Sequence, residues 1–311
     1  MPHRPIGAHA RITGGLATGG LRYAAAVGAE AIQVFVSSPR GWAQSRSDAG
    51  QDAALRDHVA ATGLPVFVHA PYLVNVGSPD GPTRDRSAAA VRHSLRRARE
   101  IGALGAVVHT GSAVTADKDA ALRRVRECLL PLLDEIGDGG PDLLLEPMAG
   151  QGRMMCAALP ELEPYLDALD WHPRAAVCLD TCHAFAAGHD IRRPGGAAAA
   201  LRALRIATRD PRGRLRLIHA NDSKDGCGSC RDRHESIGAG QIGLAGFGAL
   251  LRHPLTGGVP FVVETPGGQT GHARDVATLR ALRDGVSNDG PPAGAGLAGS
   301  AHTGGPSPGS S

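Results

Sequence analysis

Long apolar stretches are missing from this chain. Its hydrophobic runs are only a few residues long, which excludes a membrane-spanning helix of about 20 residues. No basic segment followed by an apolar core and a small-residue cleavage site stands near the N-terminus, so secretion is not expected. Cysteine is sparse too: six in 311 residues do not make a disulfide framework, and the expected setting is cytoplasmic. An excess of one charge sign is also lacking, because a formal net charge of +3 is too small to mark a nucleic-acid binder by composition. Lysine occurs only as Lys118 and Lys224; beside so much alanine and glycine, that arginine bias carries no functional weight. What is present, 42% hydrophobic and 20% charged residues, excludes wholesale disorder and indicates a globular protein.

Eight short aliphatic or β-branched segments recur along the chain: Pro5–Ala10, Ala31–Val36, Pro65–His69, Ala106–His109, Asp142–Glu146, Ala175–Asp180, Leu215–His219 and Pro260–Glu264. Most are continuous apolar runs, as expected of parallel strands covered on both faces. The stretches between them carry helical spacing. Val91, Leu95, Ala98 and Ile101 follow Ser87, which reads as an N-cap, and Leu122, Val125, Leu129, Leu132 and Ile136 repeat the pattern. Pro131 is expected to bend or break that second helix. Strand–helix alternation repeated eight times indicates an α/β fold, a parallel (β/α)8 barrel in one domain over residues 1–284. From Gly285 to Ser311 the composition turns to Gly, Pro, Ser and Ala, which predicts a disordered tail.

The strand ends carry the chemistry. Six consecutive segments finish on His69, His109, Glu146, Asp180, His219 and Glu264, and in a βα barrel such ends converge at one mouth. One such residue is ordinarily a cap or a satisfied polar contact. Six together are electrostatically costly unless something cationic sits among them. Divalent metals meet that need, and mixed nitrogen and oxygen donors suit zinc, with manganese next. His183, three residues past Asp180, and the pair Asp232 and His234 bring the candidates to nine. Nine donors exceed the needs of one ion and fit three ions sharing a carboxylate, with a net positive centre suited to a phosphodiester. Cys227-Gly-Ser-Cys230 lies between two of these motifs and could bind metal or cycle redox, whereas Cys178 and Cys182 read as packing residues.

Several motifs, in this order along residues 5 to 283, resemble the endonuclease IV family of apurinic/apyrimidinic (AP) endonucleases. They are Ile6-Gly-Ala-His9, His69-Ala-Pro-Tyr-Leu-Val-Asn75, Val177-Cys-Leu-Asp-Thr-Cys-His-Ala-Phe-Ala-Ala-Gly-His-Asp190, His219-Ala-Asn-Asp-Ser-Lys224, Asp232-Arg-His-Glu-Ser-Ile-Gly-Ala-Gly240 and Phe261-Val-Val-Glu-Thr265. The resemblance implies a TIM barrel with three zinc ions. One would be held by His69, His109 and Glu146, a second by Glu146, Asp180, His219 and Glu264, and a third by His183, Asp232 and His234. It implies cleavage of duplex DNA 5′ to an abasic nucleotide by a metal-bridged hydroxide, with Glu146, Asp180 and Glu264 at the reaction centre. The products would be a 3′-hydroxyl and a 5′ deoxyribose phosphate, and 3′ blocking groups would also be removed. His9, Arg40 and Tyr72 match DNA-contacting positions, and no obligate protein partner or membrane is implied. The chain departs from the family at Pro147-Met148, where members carry Asn-Thr, and at Thr110, where they carry proline. A sugar isomerase or epimerase on the same fold is the alternative enzyme, and a damage-binding protein without catalysis is the alternative of another class.

Overall fold

The computed structural model describes residues 2–115, 117–211 and 214–285. Eight parallel strands close a barrel: β1 (Ile6–His9), β2 (Ile32–Phe35), β3 (Val66–His69), β4 (Gly105–His109), β5 (Asp142–Glu146), β6 (Ala175–Asp180), β7 (Leu215–His219) and β10 (Phe261–Val263). Two-residue strands β8 (Asp222–Ser223) and β9 (His234–Glu235) form a separate antiparallel ribbon above β7. Helices α1 (Leu16–Val27), α2 (Ala49–Thr62), α3 (Gly81–Glu100), α4 (Lys118–Ile136), α5 (Leu162–Ala168), α6 (Thr181–Ala186), α7 (Gly196–Ala207), α8 (Gly243–Arg252) and α9 (Gly268–Asp284) surround the barrel. The expected eightfold alternation is therefore the observed fold. The tail expected from Gly285 lies, from residue 286 onward, outside the described residues.

Alternation along each strand separates two cores. Ala31, Phe67, Val107, Leu144, Ala176, Cys178, Leu217 and Val262 pack inside the barrel, while Val66, Val68, Leu143, Leu145 and Val177 face the helices. A strand points every second side chain the same way. The residues two steps beyond the inner layer therefore line the mouth: Gln33, His69, His109, Glu146, Asp180, His219 and Glu264. Barrel register sets His109 beside Glu146 and Asp180 beside His219. Gly7 permits closure between β1 and β2, because a Cβ there would lie 1.7 Å from the Ala31 carbonyl oxygen.

Two expectations about helices are corrected. Ser87 is not an N-cap: α3 starts earlier, where Asp80 accepts from the Thr83 N–H at 2.8 Å and Pro82 sits in the first turn. Ser87 lies mid-helix, donating to the Thr83 carbonyl and accepting from Asn75 N–H, which ties the loop after Tyr72 to α3. Pro131 does not break α4, which continues to Ile136. It lies on the exposed face, so the buried stripe of Val125, Leu129, Leu132 and Leu133 packs undisturbed.

Candidate metal centre

At the mouth of the barrel the nine candidate donors come together in three groups. His69, His109 and Glu146 form one, Glu146, Asp180, His219 and Glu264 a second, and His183, Asp232 and His234 a third; within each, one donor atom per residue lies within 4.8 Å of the others. Glu146 belongs to two groups. Its Oε2 is 3.3 Å from His69 Nε2 and 3.5 Å from His109 Nε2, and its Oε1 is 3.1 Å from His219 Nδ1 and 3.4 Å from His183 Nδ1. Asp180 also divides its oxygens. Oδ1 caps α6 by accepting from His183 N–H at 2.9 Å, which explains the three-residue spacing, while Oδ2 faces His234 Nε2 at 3.5 Å. Asp232 sends one oxygen to His183 Nε2 and the other to His234 Nε2, each at 3.1 Å.

The imidazoles are held by the nitrogen facing away from the group. His69 Nδ1 donates to the Ala70 carbonyl at 2.6 Å, His183 Nδ1 to the Pro147 carbonyl at 3.0 Å, and His219 Nε2 to Gln33 Oε1 at 2.9 Å. Such outer bonds fix the ring and leave the opposite nitrogen for a metal. The departure at Pro147 is thereby accommodated, because the partner of His183 is a backbone carbonyl that any residue supplies. Thr110, the other departure, is buried, and its hydroxyl donates to the Cys156 carbonyl at 3.1 Å.

These residues fit divalent cations. His183 Nε2 and His234 Nε2 are buried and make no hydrogen bond, although both lie against Asp232. The ion-pair partners of Glu146, Asp180, Asp232 and Glu264 are imidazoles. Burial holds the His109 imidazole down at about 4, neutral and able to donate a lone pair. Burial also opposes charge on His183 and His234, yet Asp180 and Asp232 outweigh it and push them up to about 10 and about 9. Asp232 and Glu264 are held well below the usual carboxylate range, burial being outweighed by His183 and His234 around the first and by His219 and His9 around the second. The metal-free protein should thus carry protons on His183 and His234 at neutral pH that a cation must displace. Calorimetric loading at pH 7 in buffers of different ionisation enthalpy should register proton release, with affinity falling as pH falls. In the metal-free chain the same pair stabilises the fold fully below about pH 6.5, and that contribution fades as pH rises through about 9 to 10.

Three further residues build the centre and were not singled out by donor type. Asn221 donates to Asp180 Oδ2 at 2.7 Å and accepts from Glu264 N–H at 2.8 Å, so it locks β6 to the end of β10. The buried Asp222 carboxylate accepts from five backbone N–H groups, those of Ser223, Gly238, Gly240, Ile242 and Gly243. It fastens the segment after His234, and Gly240 is required there because a Cβ would lie 2.5 Å from Asp222 Oδ1. Asp222→Asn should lower stability by about 2–3 kcal/mol, read as a lower urea midpoint, because the new amide N–H would oppose backbone donors. Gln33 is the third. Asn221 and Asp222 stand within a quoted motif, and Gln33 interrupts an apolar strand; that interruption is the signal that could have found it.

The DNA-contact candidates divide. Tyr72 is 46% exposed at the rim, stacked on His109 with ring centroids 5.7 Å apart, and its N–H donates to the Pro39 carbonyl beside the exposed Arg40. His9 is instead turned inward, with Nδ1 3.0 Å from Glu264 Oε1. A cleft of about 670 Å³ opens next to these groups, lined by His9, Arg11, Phe35, Arg46, Tyr72 and Glu264 among others. Two cysteines border this chemistry: the Cys178 thiol lies with the donors of Glu146 and His219, and the Cys182 thiol with those of Asp180 and His234, each set within 4.8 Å. All six are free thiols, Cys227 and Cys230 join none of the donor groups among the described residues, and burial pushes Cys178 up to about 12 and Cys182 higher.

Comparison with known proteins agrees with this architecture. A family model described as a xylose isomerase-like TIM barrel, AP endonuclease 2, matches residues 21–284. A probable endonuclease 4 of Streptomyces coelicolor is 55% identical over 287 residues, covering 92% of this chain and 97% of that protein. The crystal structure of endonuclease IV from Thermus thermophilus superposes with a TM-score of 0.79 at 31% identity, covering 90% of this chain and 99% of that one. A D-tagatose 3-epimerase-like protein, 16% identical with a TM-score of 0.70 over 91% of this chain and 98% of that one, shares the fold alone. Among the described residues no helix is long and apolar enough to cross a membrane. Motif order, barrel, donor clusters and relatives converge, and this chain belongs to the endonuclease IV family of AP endonucleases.

Proposed function

We propose that this DNA-repair endonuclease hydrolyses the phosphodiester 5′ to an abasic nucleotide in duplex DNA, leaving a 3′-hydroxyl and a 5′ deoxyribose phosphate. The observation that carries the reading is the sharing of Glu146 between two donor groups, with a third group joined through Asp180 and His183. Three zinc ions suit this donor set, with His69, His109 and Glu146 on one, Glu146, Asp180, His219 and Glu264 on the next, and His183, Asp232 and His234 on the last. Manganese suits the more carboxylate-rich positions. When bound, divalent ions supply Lewis acidity and a water activated at neutral pH.

The chain's own residues do the rest. Tyr72 and Arg40 meet the duplex at the rim, where the exposed ring next to His109 wedges against the abasic gap. An abasic sugar has no base to unstack, so turning it outward costs less than turning out an intact nucleotide. The cleft beside Glu264 receives it, with Arg11 and Arg46 as phosphate partners. The same centre would trim 3′ blocking groups, because a sugar fragment left on a 3′ end is joined to it through a phosphodiester of the same kind. The enzyme acts on DNA without an obligate protein partner, in the cytoplasm where bacterial DNA lies.

A duplex carrying one tetrahydrofuran abasic analogue tests the proposal. Nicking on the 5′ side that chelation abolishes is expected. A mobility shift without nicking would contradict it, as would ketose–aldose interconversion by the same preparation.

A further inference from the structure

Gln33 is a neutral amide, 0% exposed at the barrel mouth, for which metal ligation leaves no task. Its Oε1 lies 2.9 Å from His219 Nε2, and its Nε2 lies 2.7 Å from Glu264 Oε1 and 2.9 Å from His9 Nδ1. A buried amide of this kind is costly unless its polar atoms are paired. Here both ends are paired, and each partner belongs to the candidate centre or touches it.

The pairing has only one consistent orientation. A carboxylate accepts and cannot donate, so the Gln33 nitrogen must face Glu264 and the amide oxygen must face His219. An amide oxygen accepts, so His219 carries its hydrogen on Nε2, and the bare lone pair of the neutral ring is on Nδ1. That is the nitrogen that faces Glu146 Oε1 at 3.1 Å and Glu264 Oε2 at 3.3 Å. The inverted amide would set two acceptors, its own oxygen and Glu264 Oε1, 2.7 Å apart. The bond to Glu264 has a second effect: it occupies Oε1 and leaves Oε2 free on the side of His219 Nδ1.

We infer that Gln33 is a positioning residue that sets which atoms of His219 and Glu264 are offered to a cation, Nδ1 of the first and Oε2 of the second. The inference rests on the metal reading given above for its purpose, and its test is separable from that reading. A side chain on β2 thus acts across the barrel on β7 and on the end of β10, and only the closed sheet brings these strands to one mouth.

The test uses the zinc-loaded full-length protein with ¹⁵N-labelled histidine, the His219 signals being assigned by their loss in His219→Ala. Wild-type His219 should show a protonated, slowly exchanging Nε2 and an unprotonated Nδ1. In Gln33→Met, which keeps the length and removes both polar atoms, that N–H should lose its protection. One zinc equivalent should then bind about 10–100-fold more weakly in competition with a chelator, the others being retained. A hydrogen on His219 Nδ1 in the wild type would overturn the assignment even if Gln33→Met failed to fold. So would a folded Gln33→Met that keeps a protected Nε2–H and wild-type affinity for every zinc. A wild-type protein with the expected tautomer but no nicking would overturn the endonuclease reading while supporting this assignment.

Discussion

Glu146→Gln is expected to slow nicking of an abasic analogue by at least about 1,000-fold, some 4 kcal/mol of lost transition-state stabilisation, while the barrel stays folded. Glu146 places one oxygen between His69 and His109 and the other toward His219 and His183, so its charge serves two donor groups at once. Glutamine keeps the shape but turns one acceptor into an N–H donor that points at imidazole lone pairs. The backbone of β5 pairs with β4 and β6 whatever side chain it carries, which is why folding should survive. Circular dichroism and a nicking time course on the same preparation check both halves. Turnover within about tenfold of wild type would contradict the role given to Glu146.

The second large effect is expected at Asp232→Asn: loss of one metal equivalent and nicking slowed by about 100-fold. Asp232 stands in the loop between β8 and β9, about one-third exposed, and faces His183 and His234 at 3.1 Å each. It packs no core, so the chelated protein should still fold, but its thermal stability at neutral pH should fall, because Asp232 faces the protonated His183 and His234. The substitution also separates the enzyme classes: a sugar isomerase using one or two ions would have no use for this group. Elemental analysis of the variant beside a nicking assay gives the answer.

Much of this centre is legible in the sequence because of one geometric fact. Six of the eight apolar runs end on a polar donor two residues past a side chain of the barrel interior, as Phe67 precedes His69 and Leu144 precedes Glu146. Period-two alternation then carries each donor to the mouth without knowledge of tertiary contacts. What is not legible follows from the same fact. Gln33 occupies the equivalent place after Ala31, but glutamine is no ordinary metal ligand, and its role exists only through partners 186 and 231 residues away. Asp222 is similarly opaque, since five backbone N–H groups converge on it only after the segment beyond His234 has folded back. His9 matches a DNA contact by position and lines the open cleft, and its contact with Glu264, which the sequence does not announce, depends on closure of β1 against β10.

Helix boundaries follow a different logic. Ser87 and Asp80 both offer cap chemistry, and the helix begins at Asp80 because Gly81-Pro82 favours a first turn there. Pro131 keeps its place in α4 because tertiary packing of the opposite face outweighs one lost hydrogen bond.

The central claim, that nine side chains from scattered positions hold three cations at one mouth, is tested most directly by elemental analysis of the purified protein. The account predicts three equivalents of divalent metal per chain, falling to two in Asp232→Asn. A single equivalent in the wild-type protein, unchanged by that substitution, would contradict it.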